Sequence, residues 1–244
     1  MTLTIPNRAD FISKFLSPVS KISNSAVFNV NGVGITSLLT AADNTVILYA
    51  KYDQDLDIDK QLTVNLPDLS RLVKILQCID ESSVALKLHD NNIKYSSSSM
   101  RFTYHLLEDG IISPPPISVD KIKQIKYDTT FTIPFTSLIN LIKGSSFTIN
   151  INKLYISTKD GAVYAEINDK QSHNVDSISL KLCDSFEGAP IDKPLPISFE
   201  TIRTLAGARC DYINVFVNNE LNVMMFKINI DNIAMTYIVS GLVN

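Results

Sequence analysis

Few side chains in this chain of 244 residues stand at spacings that do chemistry. His89, His105 and His173 lie far apart, in turns or alternating stretches, with neither an HExxH pair nor a cysteine partner to complete a metal site. Cys78, Cys183 and Cys210 form no CxxC pair and read as reduced thiols. Ser96 to Ser99 is a polar edge rather than a nucleophile elbow, no GxxxxGK[ST] loop exists, and Gly32-Val33-Gly34 is only a turn signal. The alternation Asp53, Asp55, Asp57, Asp59 opens as a calcium loop does. Counting from Asp55, however, puts Lys60 where the loop needs glycine and Leu66 where it needs glutamate, and counting from Asp53 puts Ile58 and Val64 there. It reads as a solvated acidic connector. The expectation is a protein with no catalytic residue, no metal and no cofactor.

What remains is the placement of charge. A net charge of −3 argues against an acidic partner, but position matters more than the sum. The stretch Gln61 to Leu88 shows the pattern most clearly. Gln61 to Leu66 alternates as a half-buried strand, and Pro67-Asp68 opens a helix. Leu69, Leu72, Val73 and Leu76 make its apolar stripe, leaving Ser70, Arg71, Lys74 and Gln77 on the other side. Val84 to Leu88 then resumes a strand. Three other helical patterns are predicted, carrying Phe11 to Val19, Leu138 to Ile142, and Ile202 to Ala206 as their apolar residues. Pro18 should end or kink the first near Ser17, and Gly144 should terminate the second. The four helices carry Arg8, Lys14, Lys21, Arg71, Lys74, Lys143, Arg203 and Arg209 against Asp10, Asp68 and Glu200, a net of +5 that leaves −8 for the rest. A helix side facing a polyanion follows if the helices share one side of the sheets.

These helices sit in a repeat. Strands are predicted at Leu3 to Ile5, Ala26 to Val30, Gly34 to Leu39 and Val46 to Tyr52, then at Ile93 to Ser97 and Arg101 to Leu107. Pro114-Pro115-Pro116, followed by Lys121, Lys123 and Lys126, has no stable period and predicts an extended surface path. Beyond it come strands at Phe131 to Phe135, Phe147 to Asn152, Leu154 to Thr158, Val163 to Asn168, Ser177 to Leu182, Ile213 to Val217, Val223 to Ile230 and Ala234 to Val239. Set without gaps, Leu66, Leu69, Leu72 and Val73 align with Phe135, Leu138, Leu141 and Ile142, and with Phe199, Ile202, Leu205 and Ala206. The reading is a two-domain α+β protein with two strand-helix-strands units in each domain: 1–109, a connector 110–128, and 129–244. Apolar runs fall short of the roughly 20 residues that span a bilayer. The start Met1-Thr2-Leu3-Thr4 has no signal-peptide pattern, and a cytoplasmic location is expected.

Over its whole length this arrangement resembles the DNA polymerase sliding clamps, in the two-domain form of proliferating cell nuclear antigen and of T-even-type bacteriophage clamps. The resemblance rests on the four units, the connector, the length and the basic helices of an acidic chain; the Asn- and Ile-rich composition leans toward the phage members. It implies a homotrimeric ring, helices on the inner face and sheets outside, encircling duplex DNA without sequence specificity and acting as a replication processivity factor. Location follows the host: bacterial cytoplasm for a phage protein, nucleus for a eukaryotic one. Lys14, Lys21, Arg71, Lys74, Lys143, Arg203 and Arg209 are the expected DNA-facing residues. Polymerase and clamp loader are expected to insert short hydrophobic tails into a groove, for which Leu38, Leu39, Ile112, Val223, Tyr237 and Val239 are candidates, although each would serve equally as core. Arg101, Tyr104 and Leu106 are expected to pair across the subunit interface with Ser179 and Leu180 of the next chain, because persisting sheet edges need partners. The alternative is a β-rich viral structural or attachment protein with no DNA role.

Overall fold

Period-two alternation builds most of the molecule, which the computed structural model describes over residues 1–56, 58, 60–147, 152–167 and 177–242. Two compact units result: Met1–Ala42, Ile47–Val119 and Ile230–Met235 form the first, and Asp43–Val46, Asp120–Asn229 and Thr236–Asn244 the second.

The first unit runs β1 (Thr2–Ile5), a helical stretch 8–22, β2 (Ala26–Asn31), β3 (Gly34–Thr40), β4 (Val46–Asp53), β5 (Leu62–Leu66), a helix Leu69–Gln77, β6 (Val84–His89), β7 (Asn92–Ser96) and β8 (Arg101–His105). Antiparallel pairing orders the strands β1-β6-β7-β8 in one sheet and β5-β2-β3-β4 in another. Burial alternates as the sequence does: Val84, Leu86 and Leu88 of β6 point inward, and Ala85, Lys87 and His89 outward. The helices lie on the inward residues, and Phe11, Phe15, Phe28 and Tyr52 join in a chain of ring contacts at 5.1 to 5.5 Å between centroids.

Pro18 does not end the first helix. The stretch is α-helical over Arg8–Asp10 (α1), π-helical over Phe11–Leu16 and α-helical again over Ser17–Ile22 (α2). Ser17 N–H donates five residues back to Ile12 O, and the widened turn admits Pro18, which has no N–H, in the first turn of the next helical segment. The following helix, α3 (Leu69–Gln77), is closed from outside: Arg8 donates from Nη1 to Leu76 O at 2.9 Å and from Nε to Glu81 O at 2.9 Å. Arg8 is thus a structural cation.

The second unit runs α4 (Val119–Gln124), β9 (Thr129–Pro134), α5 (Phe135–Gly144), a 3-10 turn Ser145–Phe147, β10 (Lys153–Lys159), β11 (Ala162–Ile167), β12 (Ile178–Cys183), β13 (Glu187–Gly188), β14 (Leu195–Ser198), α6 (Phe199–Ala206), β15 (Tyr212–Asn218), β16 (Val223–Ile230) and β17 (Ile233–Ser240). Its sheets are ordered β12-β11-β10-β14 and β13-β9-β15-β16-β17.

Three expectations change here, and one holds. The connector is not extended throughout, because α4 forms beyond the prolines, anchored by buried Ile122; a helix this short shows no period. α5 ends at Gly144 as expected, with Ser145 as its cap and a 3-10 turn following. A Cβ at Gly144 would lie 3.0 Å from Leu180 Cδ1, so glycine there answers close packing on β12. No strand begins at Phe147, which closes that turn, and residues 148–151 lie outside the described residues. Finally, the gapless alignment is slipped. The helix caps set Asp68 beside Pro134 and Ser198, three residues away from the aligned register. A stripe at i, i+3, i+4 nearly matches itself after a shift of three, so the period could not fix the register. Lys74 and Lys143 consequently occupy different turns of their helices.

Candidate nucleic-acid interface and peptide groove

The helix cations differ in what surrounds them. In the first unit α2 packs on α3, and in the second α5 packs on α6. Asp68 caps α3, its Oδ1 accepting from Arg71 N at 2.8 Å and from Asn24 Nδ2 at 3.1 Å. The backbone hydrogen bond from Arg71, more than any neighbouring charge, holds this carboxyl below its ordinary range. Asn24 also accepts from Ser70 N at 3.0 Å, so the first turn is fixed from two sides. Arg71 and Lys74 are exposed on the outer side, as is Lys21 on α2. None of the ion pairs among the described residues involves these three.

Lys14 stands otherwise. Its ammonium lies 2.7 Å from Asp231 and 3.2 Å from Asp10, and these hydrogen bonds, Asp231 first, raise its pKa above the ordinary lysine value. Arg203 on α6 reaches Glu200 at 3.2 Å and lies over the Phe199 ring at 5.0 Å. Lys143 is exposed near the end of α5. Arg209, expected on a helix, follows the end of α6 in the left-handed region at φ 48°, because the helix stops at Ala206.

Between β2, β3 and the start of the connector lies a groove of about 480 Å³. Leu38 and Leu39 form part of its wall, Leu107, Ile111 and Ile112 another part, and Pro114 and Pro115 its rim; among the described residues no charged side chain lines it. Ile111 is 63% exposed. Of the six residues named from sequence, Leu38, Leu39 and Ile112 meet here. Val223, Tyr237 and Val239 do not line it. Tyr237 and Val239 are fully buried in β17, where consecutive residues Tyr237, Ile238 and Val239 all turn away from water, so their place in the core, not at a groove, is set by packing that the clamp resemblance did not specify. Burial also pushes the Tyr237 phenol well above its ordinary range. Leu107, Ile111 and the two prolines were missed; their only signal in the sequence is proximity to the proline run.

A second recess of about 490 Å³ lies along β5, between Thr63, Asn65, His89 and Asp90 and the segment Leu106 to Asp109, with Asn65 Nδ2 donating to Asp109 Oδ1 at 2.7 Å. It is polar, and no sequence pattern announced it.

The proposed interface strands lie at sheet edges: β8 ends one order and β12 another. Arg101 and Ser179 are exposed and Leu180 half-buried. Leu106 falls just after β8, donating its N–H to Asn91 O at 2.9 Å. Tyr104 points inward with no exposed surface. Its hydroxyl donates to Asp68 O at 2.7 Å and accepts from Asp68 N at 3.0 Å. His173, Asp176, Asp57 and Asp59 lie outside the described residues. Among the described residues no helix is long and apolar enough to cross a membrane.

The sequence matches no family model and no curated protein. Solved structures do match. Proliferating cell nuclear antigen of A. fulgidus, solved bound to the C-terminal region of FEN-1, aligns at TM-score 0.81 and 12% identity over 100% of this chain and 98% of that one. The Entamoeba histolytica protein aligns at 0.77 and 12%, over 99% and 98%. The PCNA2-PCNA3 complex of Sulfolobus tokodaii aligns at 0.75 and 11%, over 99% of each. End-to-end coverage at such identity identifies an architecture: this chain has the α+β DNA-clamp fold of proliferating cell nuclear antigen, mostly antiparallel sheets with few helices.

Proposed function

We propose that this protein is a replication processivity factor: a homotrimeric ring whose helices face duplex DNA and whose outer groove tethers a polymerase and a clamp loader. The observation that carries the reading is the set of cations outside any ion pair among the described residues, Lys21, Arg71 and Lys74, on two packed helices of a clamp fold. Dispersed lysine and arginine give attraction to phosphates that reads no bases, and a closed ring stays on DNA without tight contact. The fold is typically non-enzymatic, and topology rather than chemistry does the work. In this reading β8 of one subunit pairs with β12 of the next, completing two open edges.

The neutral, aliphatic groove fits a short hydrophobic tail, and the FEN-1 segment in the A. fulgidus structure offers a parallel of partner type. Retention on circular against linear duplex tests the function. A trimer by native mass that stays on the circle and runs off linear ends is expected. A monomer, or equal loss from both, would overturn the ring and favour a structural protein with no DNA role. Ile112→Glu is expected to abolish tail binding by calorimetry while the trimer persists, and unchanged affinity would remove the groove assignment.

A further inference from the structure

Tyr104 touches both the start of α3 and the cation that follows it. Its hydroxyl brackets the Asp68 peptide with two hydrogen bonds, of 2.7 and 3.0 Å, at the point where the chain turns from β5 into α3. The Asp68 carboxylate in turn accepts from Arg71 N at 2.8 Å. The ring of the same tyrosine lies under the Arg71 guanidinium, whose central carbon is 5.1 Å from its centroid. Tyr104 is wholly buried, so its ring forms a fixed floor, whereas Arg71 is exposed above it.

We propose that Tyr104 is a positioning residue for phosphate contact by Arg71, and that through it the β8 edge and the cationic face of α3 are one rigid element. The inference rests on the function proposed above. A guanidinium lying on an aromatic face keeps its N–H donors free in its own plane, so it can stack and meet a phosphate at once. Holding the long side chain on the floor also removes rotamer freedom that a phosphate contact would otherwise have to overcome. Lys74, a compact ammonium on a flexible stem, offers a phosphate a point charge and no fixed fork. Because Tyr104 belongs to β8, anything that displaces that edge strand displaces the support of Arg71.

The test is a double-mutant cycle on equilibrium binding of a short duplex DNA, using the trimeric protein. Tyr104→Phe keeps the ring and should bind DNA as wild type does, although it melts earlier. Tyr104→Leu should weaken binding about 2- to 5-fold, the worth of one exposed cation–π contact. In an Arg71→Ala background, Tyr104→Leu should change nothing further. Additive losses, or a Leu variant that binds normally, would overturn the proposal. If Tyr104→Leu does not fold, the Arg71 Nε–Hε resonance decides: a ring-shifted, restrained signal is expected in wild type and in Tyr104→Phe, and a signal averaged like that of a free arginine would overturn it. Wild-type protein without salt-dependent DNA binding would overturn the function itself; binding that is present but additive in the cycle would overturn only the role of Tyr104.

Discussion

The two helical stretches of the first unit carry the same kind of residue to opposite ends. On α3, Arg71 rides on a tyrosine and Lys74 stands in solvent, neither in an ion pair among the described residues. On the stretch 8–22, Lys14 is gripped by Asp10 and Asp231, and Arg8 is consumed in closing α3. The stretch 8–22 carries three cations and α3 two. By surroundings both cations of α3 stand outside ion pairs among the described residues, whereas the other stretch uses Arg8 and Lys14 to hold the fold together and leaves Lys21 exposed. A basic residue is therefore a ligand for a polyanion only where the fold leaves it without a carboxylate, and Asp231 sits 217 positions from Lys14 in the chain.

The comparison can be broken most directly on DNA. Arg71→Ala with Lys74→Ala should flatten the dependence of duplex affinity on log salt by up to ~1.8, about 0.9 for each phosphate no longer neutralised, whereas Lys14→Ala should leave the slope as it was. Equal slopes for all three proteins would end the distinction. Next in size is the cap that fixes α3. Asp68→Ala should cost about 1 kcal/mol of unfolding free energy at neutral pH, measured by urea titration. The folded state lowers the pKa of Asp68, so its contribution is complete above the unfolded value and fades as pH falls through the folded one. The variant and wild type should converge in acid, and a gap that does not narrow as pH falls below the ordinary aspartate value of ~3.9 would mean that the carboxylate is not what caps the helix.

Smaller effects sharpen the contrast. Glu200→Gln frees Arg203 of its 3.2 Å partner and should raise duplex affinity about twofold, and a fall instead would show that the pair, not the free cation, meets DNA. Asp231→Asn should lower stability by only a few tenths of a kcal/mol, as an exposed pair allows. Lys14 has a raised folded pKa, so that small contribution is whole below the unfolded lysine value and disappears as pH climbs through the folded one. Thermal melts of the two proteins should therefore draw together as pH rises beyond the ordinary lysine value of ~10.4.

Much of the fold was legible because it is written in local periods. Val84, Leu86 and Leu88 announce a strand, and Leu69, Leu72 and Leu76 a helix face, whatever lies around them. The prolines marked the connector, and three groove residues were legible through the clamp resemblance. Where reading failed, two causes recur. A helix stripe is nearly invariant to a slip of one turn, which displaced the alignment onto Phe135 and Phe199. A resemblance places a groove near the C-terminal strand but does not say which of its residues are buried on both faces, and Tyr237 and Val239 are.

The sequence by itself determined the elements, the two-fold repetition of strand-helix-strands units and an acidic chain with basic helices, because hydrophobic periodicity and charge position are properties of neighbours in the chain. Only the tertiary structure decided which cations stand outside ion pairs among the described residues, that Pro18 is absorbed by a π turn, that the Tyr104 ring is buried beneath Arg71, and that Leu107 and Ile111 meet Leu38. Each of these depends on which atoms, tens to hundreds of residues apart, come within a few ångströms, and no local period encodes that.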